Sequence, residues 1–227
     1  MPRACADRFA GEGTHLQRYS RVLGAAEINS SFHKPHAERT YARWASSTPD
    51  GFRFSVKMPR AITHDSRLIG VDALVERFLA ESAGLGAKRG PLLVQLPPSL
   101  SFDHAIVGEF FAGLRTRYEG AIVCEPRHGS WMTPEADALL VRHRVARVAA
   151  DPPRADGDDR PGGWPGLVYY RWHGAPRIYW SRYESAQLER LAAYLETTAK
   201  DVDAWCMFDN TASGAAAENA WQLRAML

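Results

Sequence analysis

Short apolar and β-branched stretches recur along the chain, and most of them end in a polar or charged residue. Stretches of this length, bounded by polar positions, are typical of β-strands that are buried in a sheet. The pattern predicts seven strands, at residues 25–29, 52–58, 92–96, 121–125, 145–151, 167–173 and 204–210.

Helical periodicity separates several of these strands. Apolar residues fall on one stripe across 71–85, and the pattern repeats at 106–114 and 188–195. Thr133 and Pro134 predict a helix start, because proline at the first helical position loses no hydrogen bond. Ser181 and Glu184 have the spacing of a capping box ahead of the last of these helices.

Strands that alternate with helices predict an α/β protein with a parallel sheet, either doubly wound or closed as a barrel. No strand is followed by a G-x-G-x-x-G turn, and many different strands end in polar residues, so the pattern favours a TIM-type (β/α) barrel. Seven strands are one short of such a barrel. Residues 1–13 show no apolar alternation, so the missing strand is predicted to be the first of a single domain over residues 1–227. Either the start was assigned too late, or residues 1–13 close the barrel by another route and leave a notch with unpaired strand edges.

The composition is that of an ordinary globular protein, with 45% hydrophobic and 24% charged residues. A formal net charge of +2 is too small to favour bulk binding to nucleic acid or to a membrane surface. Cys5, Cys124 and Cys206 form no C-x-x-C pair, which argues against a zinc ribbon or a thioredoxin-like motif. Without a signal peptide or a long apolar run, the sequence predicts a cytoplasmic protein with no membrane partner.

Polar side chains at the carboxyl ends of the strands are the candidates for chemistry, since those ends meet on one rim of a parallel barrel. Arg171 and His173 share one face of their strand, whereas Asp209 and Asn210 point to opposite faces, so only one of that pair points inward. The rim set comprises Glu27, Asn29, Lys57, Gln95, Glu125, Arg127, His128, Asp151, Arg171, His173 and either Asp209 or Asn210, with His64 on a nearby loop.

Carboxylates mixed with arginines and a lysine suit the recognition of a charged ligand and general acid–base chemistry. A lattice of internal salt bridges that only fills the barrel mouth is the alternative. His128 and His173 with nearby carboxylates would offer metal ligands, but no H-x-H, H-E-x-x-H or C-x-x-C spacing occurs, so no metal is predicted and the cofactor stays open. Trp164 and Trp180, in loops among glycine and arginine, are candidates for stacking on a ligand.

Seven short motifs, in order along the chain, resemble those of the domain-of-unknown-function 72 family of YecE-like proteins. They are Glu27-Ile-Asn-Ser-Ser-Phe32, Phe52-Arg-Phe-Ser-Val-Lys57, Ile62-Thr-His64, Gln95-Leu-Pro-Pro98, Glu125-Pro-Arg-His-Gly-Ser-Trp131, Arg171-Trp-His-Gly174 and Phe208-Asp-Asn210. The resemblance implies a TIM-type barrel with a shared pocket formed by the rim residues, Asn210 among them. Members of the family usually begin with a glycine-rich strand that is missing from this sequence, and the family has no assigned reaction.

The leading hypothesis is a hydrolase of a polar, phosphorylated substrate. Lys57, Arg127 and Arg171 would bind the anion, Glu125 or Asp151 would act as the base, and His173 or His128 as the acid. Glu27, Asn29, His64, Gln95 and Asn210 would complete the substrate site. A protein that binds a nucleotide or sugar phosphate without turnover is the second hypothesis, and a sugar lyase or isomerase that uses Lys57 is the third.

Overall fold

The computed structural model describes residues 3–198 and 200–227, and it arranges them as strands alternating with helices. The strands are β1 (Ala25–Ile28), β2 (Arg53–Lys57), β3 (Arg89–Gln95), β4 (Ile122–Glu125), β5 (Val145–Arg147), β6 (Ala149–Asp151), β7 (Gly162–Gly163), β8 (Leu167–Trp172) and β9 (Asp203–Phe208). The α-helices are α1 (His15–Ser20), α2 (Glu38–Ser46), α3 (Asp72–Ser82), α4 (His104–Arg117), α5 (Pro134–Arg142), α6 (Ser185–Thr198) and α7 (Ala215–Met226).

The predicted α/β fold with parallel strands is confirmed. Six strands follow the order β1-β2-β3-β4-β5-β7 and three follow β6-β8-β9, and every pair is parallel except β5 with β7. Val148 alone separates β5 from β6, and its N–H donates to the Cys124 carbonyl at 2.8 Å, so these two strands form one continuous path between the sheets. All seven predicted strands are present, and β7 is a two-residue addition.

The sheet is not closed, because β1 and β9 stand at the two free ends of the strand order. A cavity of about 870 Å³ separates them, with walls from both strands and from α1, α6 and α7. Arg3–Phe9 form a 3-10 helix rather than a strand, and Phe9 packs with Leu23 against Ala217 and Ala220 on the helical side of this cavity. The predicted notch between unpaired edges is therefore a feature of the fold.

Three hydrophobic layers pack against the strands, and one of them, around Val168, Tyr170 and Leu191, lies between β6, β8 and β9 and the helices α6 and α7. The largest one lies between β1–β5 and the helices α2–α5. The third fills the inside of the curved sheet, where large side chains from β3, β4, β8 and β9 support the strand ends from below: Leu93, Val123, Leu167, Tyr169 and Trp205. No described helix is long and apolar enough to cross a bilayer.

The helix starts agree with the sequence pattern in one case and differ in the other. Thr133 caps α5 through a bond from the Ala136 N–H, with Pro134 in the first turn, as predicted. The capping box predicted at Ser181 and Glu184 is wrong, because the Ser181 hydroxyl accepts from the Arg177 N–H instead. Glu184 takes the cap position, and its N–H donates to the Gln187 side chain at 3.0 Å.

Gly174 lets the chain turn directly after β8 and so fixes the loop above the strand ends. Its φ is +93°, in the left-handed region, and a Cβ there would stand 2.8 Å from the Ser181 carbonyl oxygen and 3.1 Å from the Asn210 Cβ. Backbone on one side and a buried side chain on the other leave no room for any residue larger than glycine.

Replacing Gly174 with alanine is expected to lower the free energy of unfolding by about 2–4 kcal/mol, through the left-handed backbone and the crowding together. Gly157→Ala is the matched control, because its φ is +89° but no atom lies within 4 Å of its Cβ. The free energy of unfolding of that variant should fall by only about 1 kcal/mol. Urea denaturation measures both, and equal losses would show that crowding at Gly174 is unimportant.

Candidate functional site

Arg171 is the centre of a buried charge cluster at the carboxyl ends of the strands. Its Nη2 lies 2.6 Å from Glu27 Oε1 and its Nε 3.0 Å from Glu27 Oε2, a two-pronged contact with β1. Nη1 donates to Glu125 of β4 at 2.7 Å, and Nη2 reaches Asp209, directly after β9, at 3.2 Å. The side chain is 1% exposed, so carboxylates from three strands take up its donors away from solvent.

Glu125 is the most enclosed carboxylate of the cluster, with no exposed surface. Arg127, two residues further on, donates to its Oε1 at 2.6 Å. Burial by itself would raise the pKa of Glu125, but the Arg171 and Arg127 guanidinium groups outweigh it and hold the pKa well below the usual range. Glu125 therefore keeps its negative charge at neutral pH and fixes both arginines.

His173 lies between two carboxylates. Its Nδ1 is 3.2 Å from Asp209 Oδ2, and its Nε2 is 3.0 Å from Glu125 Oε1 and 3.1 Å from Arg127 Nη2. Burial would lower the pKa of His173, but the hydrogen bonds to Asp209 and Glu125 prevail and raise it. Nε2 donates to Glu125 when the ring is protonated and accepts from Arg127 when it is neutral, so either state has a partner.

Lys57 is the cation of the cluster that lacks a carboxylate partner within ion-pair distance in the described part of the chain. Its ammonium lies 4.2 Å from the centre of the Phe32 ring. Burial, followed by repulsion from Arg171, lowers the pKa of Lys57 to about 8, against the attraction of the surrounding carboxylates. A considerable fraction of this amine is therefore neutral just above physiological pH.

A layer of hydroxyl groups supports the cluster from below. The Tyr169 hydroxyl lies 2.8 Å from Glu27 Oε2 and 2.8 Å from Ser55 Oγ. Ser55 in turn donates to the Pro91 carbonyl at 3.0 Å. Glu27 is thereby held from two sides, by Arg171 above and Tyr169 beneath, on top of the apolar interior.

Three further rim residues border the cluster, and of these His64 is held by a hydrogen bond between its Nδ1 and the Thr63 hydroxyl at 2.9 Å. Gln95 shares the face of Glu125, its register partner on the neighbouring strand. Asn29 follows β1 and has a buried Oδ1 without a hydrogen-bond partner. His64 lies on a short π-helix, Ala61–Asp65, with its ring 4.9 Å from that of Phe32. Burial and the nearby cations Arg60 and Lys57 lower the pKa of His64.

The structure places the other three rim candidates away from the charge cluster. Asp151 pairs in register with Trp172, so it points to the outer face of β6, where the Tyr183 hydroxyl donates to it at 2.7 Å. His128 caps a short 3-10 helix by accepting from the Ser130 N–H. Asn210 is fully buried, and its amide donates to the Ser181 carbonyl and to Asn219.

Asp209 takes the inward position that the sequence left open between Asp209 and Asn210. Tyr169 pairs with Trp205 and Arg171 with Met207, so positions 205, 207 and 209 follow one face of β9 and its extension. Trp205 is large and lines the apolar interior. Because alternate residues of a strand point the same way, Asp209 points inward with Trp205, and the sequence shows this once the register is known. At 19% exposure its carboxylate is more open to solvent than the other two.

Comparison with known proteins identifies the family and supports the fold. The family model "Protein of unknown function DUF72" matches residues 7–227. The chain belongs to the DUF72 family. A DUF72 protein from Enterococcus faecalis superimposes with a TM-score of 0.83 at 21% identity, over 98% of this chain and 92% of the other. A DUF72 protein from Thermotoga maritima gives 0.75 at 26% identity, over 89% and 84%. These likenesses are consistent with the predicted TIM-type barrel.

Two curated relatives carry the name UPF0759. The UPF0759 protein YunF of Bacillus subtilis is 25% identical over 93% of this chain and 86% of its own length. The UPF0759 protein YecE of Escherichia coli is 30% identical over 114 residues, which is 46% of this chain and 42% of YecE. The match with YecE therefore spans less than half of that protein.

Metal ligation was a further possibility for the histidines of this DUF72 member. Within residues 3–198 and 200–227, no three His, Cys, Asp or Glu side chains converge in a way that would hold a metal ion. The carboxylates of the cluster are instead directed at guanidinium groups. The arrangement suits the binding of an anion and the transfer of a proton.

Arg171→Met is expected to lower the free energy of unfolding by about 3–5 kcal/mol, because it leaves buried carboxylates without their counter-charge. Arg77→Met removes an i,i+4 pair with Glu81 at the surface of α3 and should change the free energy of unfolding by no more than about 0.5 kcal/mol. Chemical denaturation at pH 7 compares the two. A loss below about 1 kcal/mol in the Arg171 variant would mean that the cluster does not stabilise the fold.

Proposed function

We propose that this DUF72 member is a hydrolase that cleaves a phosphoester of a small polar substrate at the carboxyl ends of its strands. The observation that carries the proposal is the position of His173, between Asp209 and Glu125 and next to Arg127. A histidine oriented by a carboxylate on one ring nitrogen can move a proton through the other. Lys57 supplies a positive charge nearby, and no carboxylate of the described residues lies within ion-pair distance of it.

The contacts support a different assignment of roles from the hypothesis in which Lys57, Arg127 and Arg171 all bind the anion. Arg171 has its Nε and both Nη atoms directed at carboxylates, so it orients the cluster rather than binding substrate. Anion binding falls to Lys57 and to Arg127, whose buried Nε has no hydrogen-bond partner. Gln95 and Asn29 would add polar contacts at the edge of the site.

His173 would act as the general acid. Its raised pKa keeps more of the ring protonated at neutral pH, ready to donate a proton to the leaving oxygen. Asp209 orients the ring through Nδ1, and its pKa is lowered because the bond to His173 and the charge of Arg171 outweigh burial. Phosphoryl transfer needs positioning and charge stabilisation more than a strong base, so the ionised Glu125 is suited to hold the cations in place.

Lys57 favours a second candidate function, a lyase or isomerase that works through an imine. A neutral amine can add to a substrate carbonyl carbon, and loss of water then leaves a carbon–nitrogen double bond that withdraws electrons from the neighbouring carbon. The missing carboxylate partner and the pKa of about 8 are the observations that support it. A cytoplasmic location also belongs to the proposal, in keeping with the unpaired Cys124 and Cys206.

Phosphate release from a panel of sugar phosphates and nucleotides tests the hydrolase. His173→Gln is expected to lower kcat at least about 100-fold with little change in KM, whereas Lys57→Met should mainly raise KM. In the wild type, kcat/KM should fall as the pH rises through the pKa of His173, which lies above the ordinary 6.5. His104→Gln, an exposed residue at the start of α4, is the control.

Turnover that persists in the His173 variant would contradict the proposed acid. A wild-type protein that binds these phosphates in calorimetry but releases no product would favour the ligand-binding alternative over an enzyme.

Borohydride trapping tests the imine. With glyceraldehyde 3-phosphate at pH 8, reduction is expected to fix the probe on Lys57 in preference to the exposed Lys34, as read by peptide mass spectrometry. Lys88 is an internal control, because its ammonium is bound to the Ala45 and Thr48 carbonyls at 2.7 and 2.6 Å. Equal labelling of Lys34 and Lys57 would exclude a special reactivity of this amine.

A further inference from the structure

The loop that follows β8 places two large aromatic side chains in solvent beside the charge cluster. Tyr179 is 45% exposed and Trp180 46%, the largest exposures of any aromatic residue among the large apolar side chains of the described chain. The Tyr179 ring stands edge-on to the His173 ring, with the centroids 5.7 Å apart. An exposed ring that contacts the proposed acid lies where a substrate would enter.

Tyr179 holds this position in an unfavourable backbone conformation. Its φ is +65°, the left-handed region that bulky residues avoid. Two backbone hydrogen bonds impose it: the Tyr179 N–H donates to the His173 carbonyl, and the Ala212 N–H donates to the Tyr179 carbonyl at 2.9 Å. The strained residue is thus tied to the end of β8 and to the loop after β9, and such strain is concentrated at functional sites.

The Tyr179 side chain has no structural partner that would explain the strain. Its hydroxyl makes no hydrogen bond to any residue of the described segments, and His173 is the ring that it contacts. Trp180 differs, because the Arg177 guanidinium covers its ring at 4.5 Å from the centre. Of the two exposed rings, Tyr179 is therefore the one that no cation of the described residues covers.

We propose that Tyr179 is a stacking platform for a planar ring of the substrate, so that the ligand class is a phosphate ester that carries a nucleobase. The inference rests on the proposed function for the phosphate, but ring binding can be measured without turnover. Stacking suits an open tyrosine face, since every base has a π surface and the contact needs no hydrogen bond. A ring on Tyr179 would keep the attached phosphate close to His173.

Calorimetry with adenosine 5′-monophosphate, adenosine, ribose 5-phosphate and inorganic phosphate tests the platform. Tyr179→Ala is expected to weaken binding of the two adenine compounds by roughly tenfold, within the range measured for base stacking, and to leave binding of the two phosphates that lack a base unchanged. Tyr179→Phe should bind all four like the wild type. Trp180→Ala is the matched control and should change adenine binding by less than about twofold, because Arg177 already covers that ring.

A second variant separates ring loss from misfolding. Tyr179→Gly removes the ring and also relieves the left-handed strain, so it should unfold at higher denaturant concentration than the wild type while losing the same adenine affinity. Adenine binding that is absent in the wild type, or unaffected in both the alanine and glycine variants, would overturn the platform. An equal loss for ribose 5-phosphate would overturn it too, because the loop would then act on the phosphate.

The outcomes also separate this inference from the proposed hydrolase. Adenine compounds that bind through Tyr179 without releasing phosphate would leave the platform standing and contradict the hydrolase. Phosphate release that is equally fast from ribose 5-phosphate and adenosine 5′-monophosphate, and is unchanged in Tyr179→Ala, would support the hydrolase and contradict the platform.

Discussion

The buried guanidinium of Arg171 is the constraint on which the site depends. It binds Glu27 from β1, Glu125 from β4 and Asp209 beyond β9. The strands β1 and β9 have no strand between them, so no ladder of backbone bonds sets their separation. Ion pairs converging on one residue of β8 join the two sides instead, and they do so at the end of the sheet where the polar side chains collect.

This constraint divides the charged residues into two groups. A guanidinium that is saturated by carboxylates has nothing left to offer a ligand, so Arg171 and Glu125 shape the site without being free to bind. Lys57 and His173 belong to the same network, but Lys57 has no carboxylate of the described residues within ion-pair distance, and His173 has a partner in either protonation state. The salt-bridge lattice weighed from the sequence thus describes the part of the cluster around Arg171, and the proposed function uses Lys57 and His173.

The sequence was sufficient for the strands and for most of the cluster, because apolar runs that end in polar residues mark strand ends directly. It was insufficient where a strand is buried on both faces, since alternation then disappears. Asp151 shows this. Residues 145–150 before it are almost entirely apolar, so they do not show which way Asp151 points. Arg147, four residues earlier and on the same side of the strand, pairs with Asp137 of α5 on the outer face, and Asp151 points outward with it. Asp209 and Asn210 needed the register with β8, which only the assembled sheet supplies.

The notch and the loop above it make this site more open than a closed barrel would. Glu27, Asn29 and Asp209 border the cavity between β1 and β9 as well as the charge cluster. Solvent on that side reaches the Asp209 carboxylate and screens its charge, whereas Glu125 on the far side is fully enclosed. The two sides of the rim therefore differ: the buried side fixes the geometry of the cluster, and the open side carries Asp209, its most exposed carboxylate.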